Sequence, residues 1–337
     1  MARDTATFLG YPFDQELFMQ IWREVPDPRL TAMIESGAMV NDALIASRVA
    51  NDGNYYTIPF YNILEGAEQN YDGMTDIIPT ETSGTSQSGI VYGRAKAFSA
   101  RDFQGELSGA DPMGHIAATF AKYWQNQEQK RLIGIVNALF AMTGTDANTT
   151  AFLADHVLTT GAPVAITDAN RLMTKSLGDN KTEYSLAIMH SIVAERLENL
   201  QVLDFWKQTD SAGLQRPSRM ASWNGLTVII DDSMPTTAGA YTTYLFGAGA
   251  LRRAEARLDN PVGVDRDELK FGGYEFMVMR IRRTIHPNGF RYLIPSSGWT
   301  ESPSDAQLSA GANWAIVFNP KAIPIAKLVT TEATVPD

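Results

Sequence analysis

The clearest periodic segment runs from Pro112 to Met142. Apolar or aromatic residues recur at Ile116, Phe120, Tyr123, Trp124, Leu132, Ile135, Val136, Leu139 and Phe140. That 3.6-residue spacing predicts a helix about 45 Å long. Asp111 is placed to cap it, Pro112 suits the first helical position, and Thr143-Gly144-Thr145 ends it. Globular helices average about three turns, so this one needs a long surface to lie on. Its polar middle, Gln125 to Arg131, is expected to face solvent or a neighbouring chain.

Period-two patterns surround this helix. Asn51-Asp52-Gly53-Asn54 is a turn signal, and Tyr55 to Leu64 reads as a strand. From Ile90 to Phe98, Ile90, Tyr92, Arg94, Lys96 and Phe98 alternate with small Val91, Gly93, Ala95 and Ala97. Between them lies a polar stretch, Glu65 to Gly89, too long for the usual structureless loop of a compact domain. The two strands and this stretch predict a long flap that leaves the body and packs on something else. A mobile surface hairpin is the alternative. Ser83, Ser86 and Ser88 are expected at the flap's loop tip, without a nucleophile-elbow pattern.

The first fifty residues, interrupted by Pro12, Pro26 and Pro28, read as an extended arm, with a broken helix from Leu30 to Val49 around Gly37. In the centre, Thr149 to Leu158 reads as helix and Ala162 to Ile166 as strand. Asp168 caps a helix ending at Gly178, and Glu183 to Leu200 is an amphipathic helix containing His190. Leu226 to Ile230 is a fully apolar strand running into Asp231-Asp232-Ser233-Met234-Pro235. The last third is mostly strand: Tyr241 to Phe246, part of Phe271 to Ile285, Trp314 to Phe318, and Ile323 to Val329 before an acidic tail. His286-Pro287-Asn288-Gly289 reads as a hairpin turn into Phe290 to Ile294. The class is α+β.

Composition narrows the chemistry. The chain has 337 residues, 44% of them hydrophobic and 20% charged, as in a folded globular protein. Cysteine is absent, which excludes disulfides, thiolate metal clusters and a cysteine nucleophile. His115, His156, His190 and His286 stand apart, a poor basis for a zinc site. Lys and Arg number 28 against 38 Asp and Glu, so the formal charge is −10, unlike a protein built for tight nucleic-acid binding. No run spans a bilayer, and no cofactor or membrane partner is expected.

The remaining motifs are weak. Gly247-Ala248-Gly249-Ala250-Leu251-Arg252 lacks the third glycine of a dinucleotide fingerprint and reads as a bend between strands. Asp231 and Asp232 are the best catalytic candidates, but no third carboxylate or histidine lies nearby in sequence. In Arg280-Ile281-Arg282-Arg283, strand alternation puts Arg280 and Arg282 opposite Arg283, with intrachain or intersubunit pairing preferred over phosphate binding.

The order of these elements resembles the major capsid proteins of tailed bacteriophages, a siphophage branch with the Hong Kong 97-type fold, over nearly the whole chain. The resemblance implies an N-terminal arm at 1–50, an extended β-hairpin loop at 51–105, and a spine-helix segment of the peripheral domain at 106–145. It implies an axial domain at 146–240, peripheral strands at 241–294, and C-terminal strands returning to the axial domain at 295–337. Tyr55, Tyr61, Tyr71, Glu81, Ile90, Tyr92, Arg94 and Lys96 would form the intersubunit flap. Pro112, Phe120, Trp124, Ile135 and Phe140 would mark the spine helix. Asp231, Asp232, Met234 and Pro235 would form an axial loop, and Arg280, Arg282 and Arg283 would lie on peripheral strands.

It further implies a non-enzymatic subunit that assembles into pentamers and hexamers of an icosahedral shell in the host cytoplasm. Double-stranded DNA would be held inside by weak, non-specific contact, since an acidic lining lets DNA slide. A portal takes part in assembly, and a decoration protein is a further partner of such shells. Some relatives cross-link through a flap lysine, but the first lysine here is Lys96, so no cross-link from the flap tip is expected. Only about fifty residues precede the flap, too few for a built-in scaffold domain as well as an arm, so a separate scaffolding protein and no proteolytic maturation are expected. The alternatives are an encapsulin-like compartment shell, a neck or decoration protein, and a metal-dependent hydrolase using Asp231 and Asp232.

Overall fold

A computed structural model describes residues 7–8, 11–12, 28–51, 53–61, 67–74, 76–79, 81–82, 84–103, 112–209, 215–298 and 300–332. Most of the arm before Pro28, the cap Asp111, Ser83, residues 62–66 of the flap and the acidic tail lie outside the described residues.

Two sheets and one long helix organise the described chain. The larger sheet has eight strands. Its order is Val157–Thr159, Ile325–Thr331, Ala240–Gly247, Tyr184–Met189, Leu226–Ile230, Gln215–Trp223 and Asp204–Thr209, with Thr236–Thr237 paired to Ala240–Gly247. Tyr184–Met189 runs parallel to Leu226–Ile230, and Val157–Thr159 parallel to Ile325–Thr331. Alternate side chains feed two cores. Leu186, Ile188, Tyr244 and Phe246 face one, and Ala187, Met189, Leu245 and Ala326 face the other. Helix residues Leu172, Leu177, Val193 and Leu197 close the second face.

The smaller sheet has five strands built around the long strand Tyr274–Pro287. Tyr92–Arg101 pairs along one of its edges. Val262–Asp267 and then Leu251–Glu255 follow one another along the other edge. Met39–Asn41 adds a parallel strand beside Leu251–Glu255. The bend Gly247 to Ala250 carries the chain from the large sheet to the small one, with Gly249 in the left-handed region at φ 67°. It is a bend between strands, as its composition suggested.

The helix Pro112–Leu139 spans both sheets. Phe120 and Trp124 in its first half pack on Met277, Met279 and Ile281 of the small sheet. Leu132, Ile135, Val136 and Leu139 in its second half enter the large-sheet core. Its 28 residues make about 42 Å, three residues shorter than expected at the C-terminal end.

Several expectations need correction. Glu183 to Leu200 is not one helix. Tyr184–Met189 is a central strand and only Ser191–Asn199 is helical, with His190 as its cap. A strand buried on both faces shows no alternation, so its apolar residues happened to fit a helical spacing. Ala162 to Ile166 forms no strand. The helix expected from Thr149 to Leu158 is Ala147–Asp155, followed by strand Val157–Thr159. The broken helix after Leu30 is two helices, Pro28–Glu35 and Ala43–Asn51, separated by strand Met39–Asn41. Phe290–Tyr292 does not fold back on the strand before it, but pairs with Trp314–Ile316. Tyr241 to Phe246 belongs to the large sheet, so the small-sheet strands of the 241–294 segment begin at Leu251.

Candidate functional site

The hairpin differs most from expectation. Its strands are Tyr55–Tyr61 and Gly84–Ile90, paired from Tyr55↔Ile90 to Tyr61↔Gly84. The Gly/Ser/Thr segment expected at the loop tip is therefore the second strand, and Ser86 and Ser88 lie on it, with Ser88 buried. The alternating segment expected as that strand, with Tyr92, Arg94 and Lys96, belongs to the body. The chain redirects at Val91, whose N–H donates to Asn54 O at 2.7 Å.

The root of the flap is closely packed. Tyr56 donates to or accepts from Thr284 Oγ1 at 3.0 Å, and burial pushes its phenol well above the ordinary range. A Cβ on Gly89 would lie 2.3 Å from the Tyr56 ring, so glycine is required there. Buried Gln87 joins the flap to the turn after the long strand. Its Oε1 accepts from His286 Nε2 at 3.1 Å and from Gly289 N at 3.3 Å, and its Nε2 donates to Asn288 Oδ1 at 3.3 Å. Because an amide oxygen only accepts, His286 carries its proton on Nε2. Burial, with Arg252 adding, pushes the imidazole down to about 3. His286 is thus a neutral strand residue rather than part of the turn itself.

The distal flap is the reverse. Tyr61, Tyr71 and Met74 are 84%, 88% and 93% exposed, and Ile77 and Ile78 are also exposed. No Lys or Arg occurs between Arg48 and Arg94, whereas Glu68, Asp72, Asp76 and Glu81 fall in that stretch.

One side of the polar middle of the long helix turns inward, contrary to expectation: Gln129 and Arg131 are buried and Glu128 half-buried, while Asn126 and Lys130 are exposed. Glu128 accepts from Arg253 Nε at 2.9 Å and from Arg283 Nη1. Both arginines also reach Glu255 Oε1, each at 2.9 Å. Burial alone would raise the Glu128 carboxyl, but Arg283 and Arg253 outweigh it and hold it below the usual range. One turn on, Arg131 Nε donates to Asp305 Oδ1 at 2.7 Å, and Arg94 Nη2 shares that oxygen at 2.7 Å. The Arg131 guanidinium lies 4.6 Å from the centre of the buried Tyr92 ring, whose hydroxyl is pushed up to about 12 by burial, with Glu128 adding. The signal sequence reasoning lacked was the partner set, since Glu128, Arg253, Arg283 and Asp305 are far apart in the chain.

Asp231 is also structural. It is buried, accepts from Gln129 Nε2 at 2.9 Å and from Ser233 N and Oγ at 2.9 and 2.7 Å, and pairs with Arg29 at 3.3 Å. Asp232 instead accepts from Ser191 N at 3.3 Å beside His190, and contacts with Ser191 lower its carboxyl. Met234 is buried and Pro235 half-buried in the same turn. Among the described residues no three His, Asp or Glu side chains gather as a metal site. Strand alternation is as expected for the arginines: Arg283 faces inward, while Arg282 donates to Asn54 Oδ1 at 2.6 Å and exposed Arg280 to Asn260 O at 3.2 Å. Of the helix markers, Pro112 opens the helix, Phe120, Trp124 and Ile135 are core residues, and Phe140 follows the last turn, stacked on Phe152 and Tyr244.

The site is therefore a set of surfaces around a flap, a spine and two sheets, and known proteins share this arrangement. The chain is 29% identical over 306 residues to the major capsid protein of Bacillus phage SPP1, covering 88% of this chain and 90% of that one. The capsid of Ralstonia phage GP4 superposes with TM-score 0.56 at 11% identity, covering 90% of each chain. The chain has the Hong Kong 97-type fold. The capsid of cyanophage Pam1 superposes with TM-score 0.52 at 12% identity, over 85% of this chain and 87% of that one. No family model matches the chain. Among the described residues of the chain, no helix is long and apolar enough to cross a membrane.

Proposed function

We propose that this chain is a phage major capsid protein that forms pentamers and hexamers in which the distal flap of one subunit lies on the small sheet of its neighbour. The observation that carries this reading is the match between two surfaces of the chain. The distal flap offers Tyr71, Met74, Ile77 and Ile78 among acidic residues. The outward face of the small sheet offers exposed Ala95, Ala97 and Ser99 beside half-buried Phe276 and Val278, with exposed Arg101 and Arg280 at its margins. Small residues leave room for the apolar side chains, and the arginines answer the carboxylates. On this reading the spine helix and the small sheet form the peripheral domain, and the large sheet with its Asp231 turn forms the axial domain.

The shell assembles in the host cytoplasm with a separate scaffolding protein and a portal, and holds double-stranded DNA by weak, non-specific contact. A decoration protein fits its outer face. The flap tip makes no covalent bond, because its ammonium donors are missing between Arg48 and Arg94. Denatured particles are expected to run as one 37.0 kDa band, and a ladder of multimers would contradict the non-covalent shell. Charge reversal tests the seat: Arg280→Glu weakens capsomer contacts, and a partner change at Glu81 or Asp76 to Lys restores them. Equal assembly of all these variants would overturn the assignment.

A further inference from the structure

The buried amide of Gln87 reaches three groups that adjoin one another in sequence: the His286 ring, the Asn288 side chain and the Gly289 N–H. Asn288-Gly289 is the kind of dipeptide in which the glycine nitrogen attacks the asparagine side-chain carbonyl carbon. The new C–N bond closes a succinimide, ammonia leaves with the proton from nitrogen, and water later opens the ring to Asp or isoAsp. Glycine favours this because no Cβ hinders the approach. Here both reacting groups are held. The Asn288 carbonyl oxygen accepts from Gln87 Nε2, and the Gly289 N–H points at Gln87 Oε1.

We infer that Gln87 is a positioning residue that latches the flap to the 286–289 turn and, by the same three hydrogen bonds, shields Asn288-Gly289 from succinimide formation. The latch is buried, with Gln87, His286 and the adjoining Tyr56 and Thr284 all inaccessible. It ties the second flap strand to the body at a point between the Tyr56–Thr284 contact and the Phe60–Phe318 ring pair at 4.7 Å. A flap that must reach a neighbour at a set angle needs such a fixed root. That consequence rests on the proposed seat of the flap; the latch itself does not.

The molecule contains its own control. Asn224-Gly225 lies in the exposed turn between Gln215–Trp223 and Leu226–Ile230, with both residues in the left-handed region at φ 51° and 83°. The test is peptide mass analysis of the folded full-length protein after incubation in mildly alkaline buffer, with amide hydrogen exchange of the flap strands read in parallel. In the unaltered protein, Asn288 is expected to deamidate at least about tenfold more slowly than Asn224, because three hydrogen bonds must open first. Gln87→Met keeps the volume and removes the bonds. It is expected to bring Asn288 close to the Asn224 rate and to speed exchange at 84–90 by about tenfold, while the strand Ala240–Gly247 exchanges as before. Equal rates at Asn288 and Asn224 in the unaltered protein would overturn the shielding even if Gln87→Met fails to fold. Unchanged rates in a folded Gln87→Met would overturn the latch. Neither readout requires assembly, so either failure leaves the flap's proposed seat standing.

Discussion

The middle of the long helix and the distal flap invert the usual rule in opposite directions. Glu128, Gln129 and Arg131 are polar and inside, whereas Tyr71, Met74, Ile77 and Ile78 are apolar or aromatic and outside. The difference lies in where each set finds its partners. The helix crosses from one sheet to the other, and at the crossing Arg253, Arg283 and Asp305 supply counter-charges from the same chain. The flap side chains Tyr71, Met74, Ile77 and Ile78 are exposed among the described residues, and on the proposed reading a neighbouring subunit covers them. On the proposed reading, one region specifies the fold of the subunit, and the other its association.

The comparison is sharpened most by removing Glu128. Glu128→Ala leaves Arg253 and Arg283 buried with a single shared carboxylate, Glu255, and is expected to cost about 3–5 kcal/mol in urea unfolding. A loss below roughly 0.5 kcal/mol would show that the crossing does not hold the sheets together.

Acid gives the next effect. His286 has a folded value near 3 against an ordinary 6.5, and burial also lowers His156. For a depressed group the unfolded chain binds the proton first, so stability is full above pH 6.5 and falls as pH drops towards the folded value. Each such histidine contributes up to about 1.4 kcal/mol per pH unit in that window. Urea midpoints are expected to be flat above pH 6.5 and to decline below it, and His286→Gln is expected to reduce the slope. An unchanged slope would place no buried neutral histidine at the flap root.

Gly89→Ala acts on the same root through packing. The added methyl meets the Tyr56 ring, and the expected loss is roughly 1–3 kcal/mol, read from thermal unfolding together with faster exchange in the flap strands. The smallest effect on stability belongs to the distal flap. Ile77→Ser with Ile78→Ser is expected to change subunit stability by less than about 0.5 kcal/mol while weakening association.

The sequence displayed the long helix and the strand Leu226–Ile230 clearly, because one is amphipathic over seven turns and the other is a short apolar run between turn signals. The helix Asp168–Leu177 with Gly178 at its end was nearly as legible, but Asp168 is its first residue and Thr167 holds the cap position. The order of elements carried the family resemblance even where single elements were misread. Tyr184–Met189 hid because a hydrophobic core lies on each face of its sheet, which removes the alternation. Gly84–Ile90 hid because its small polar residues have low strand propensity and are held by a partner strand and by Gln87. The roles of Glu128, Gln87 and Asp231 depend on contacts across 100 to 200 residues, for which a single sequence carries no local mark.

The most direct test of the account is the size of the particles formed by the unaltered protein and by the Ile77→Ser, Ile78→Ser variant, measured by sedimentation and negative-stain microscopy beside their urea midpoints. The account predicts capsomers of five or six subunits from the unaltered protein, and mainly monomers with the same midpoint from the variant. An unaltered protein that stays monomeric, or a variant that assembles as fully as its parent, would contradict it.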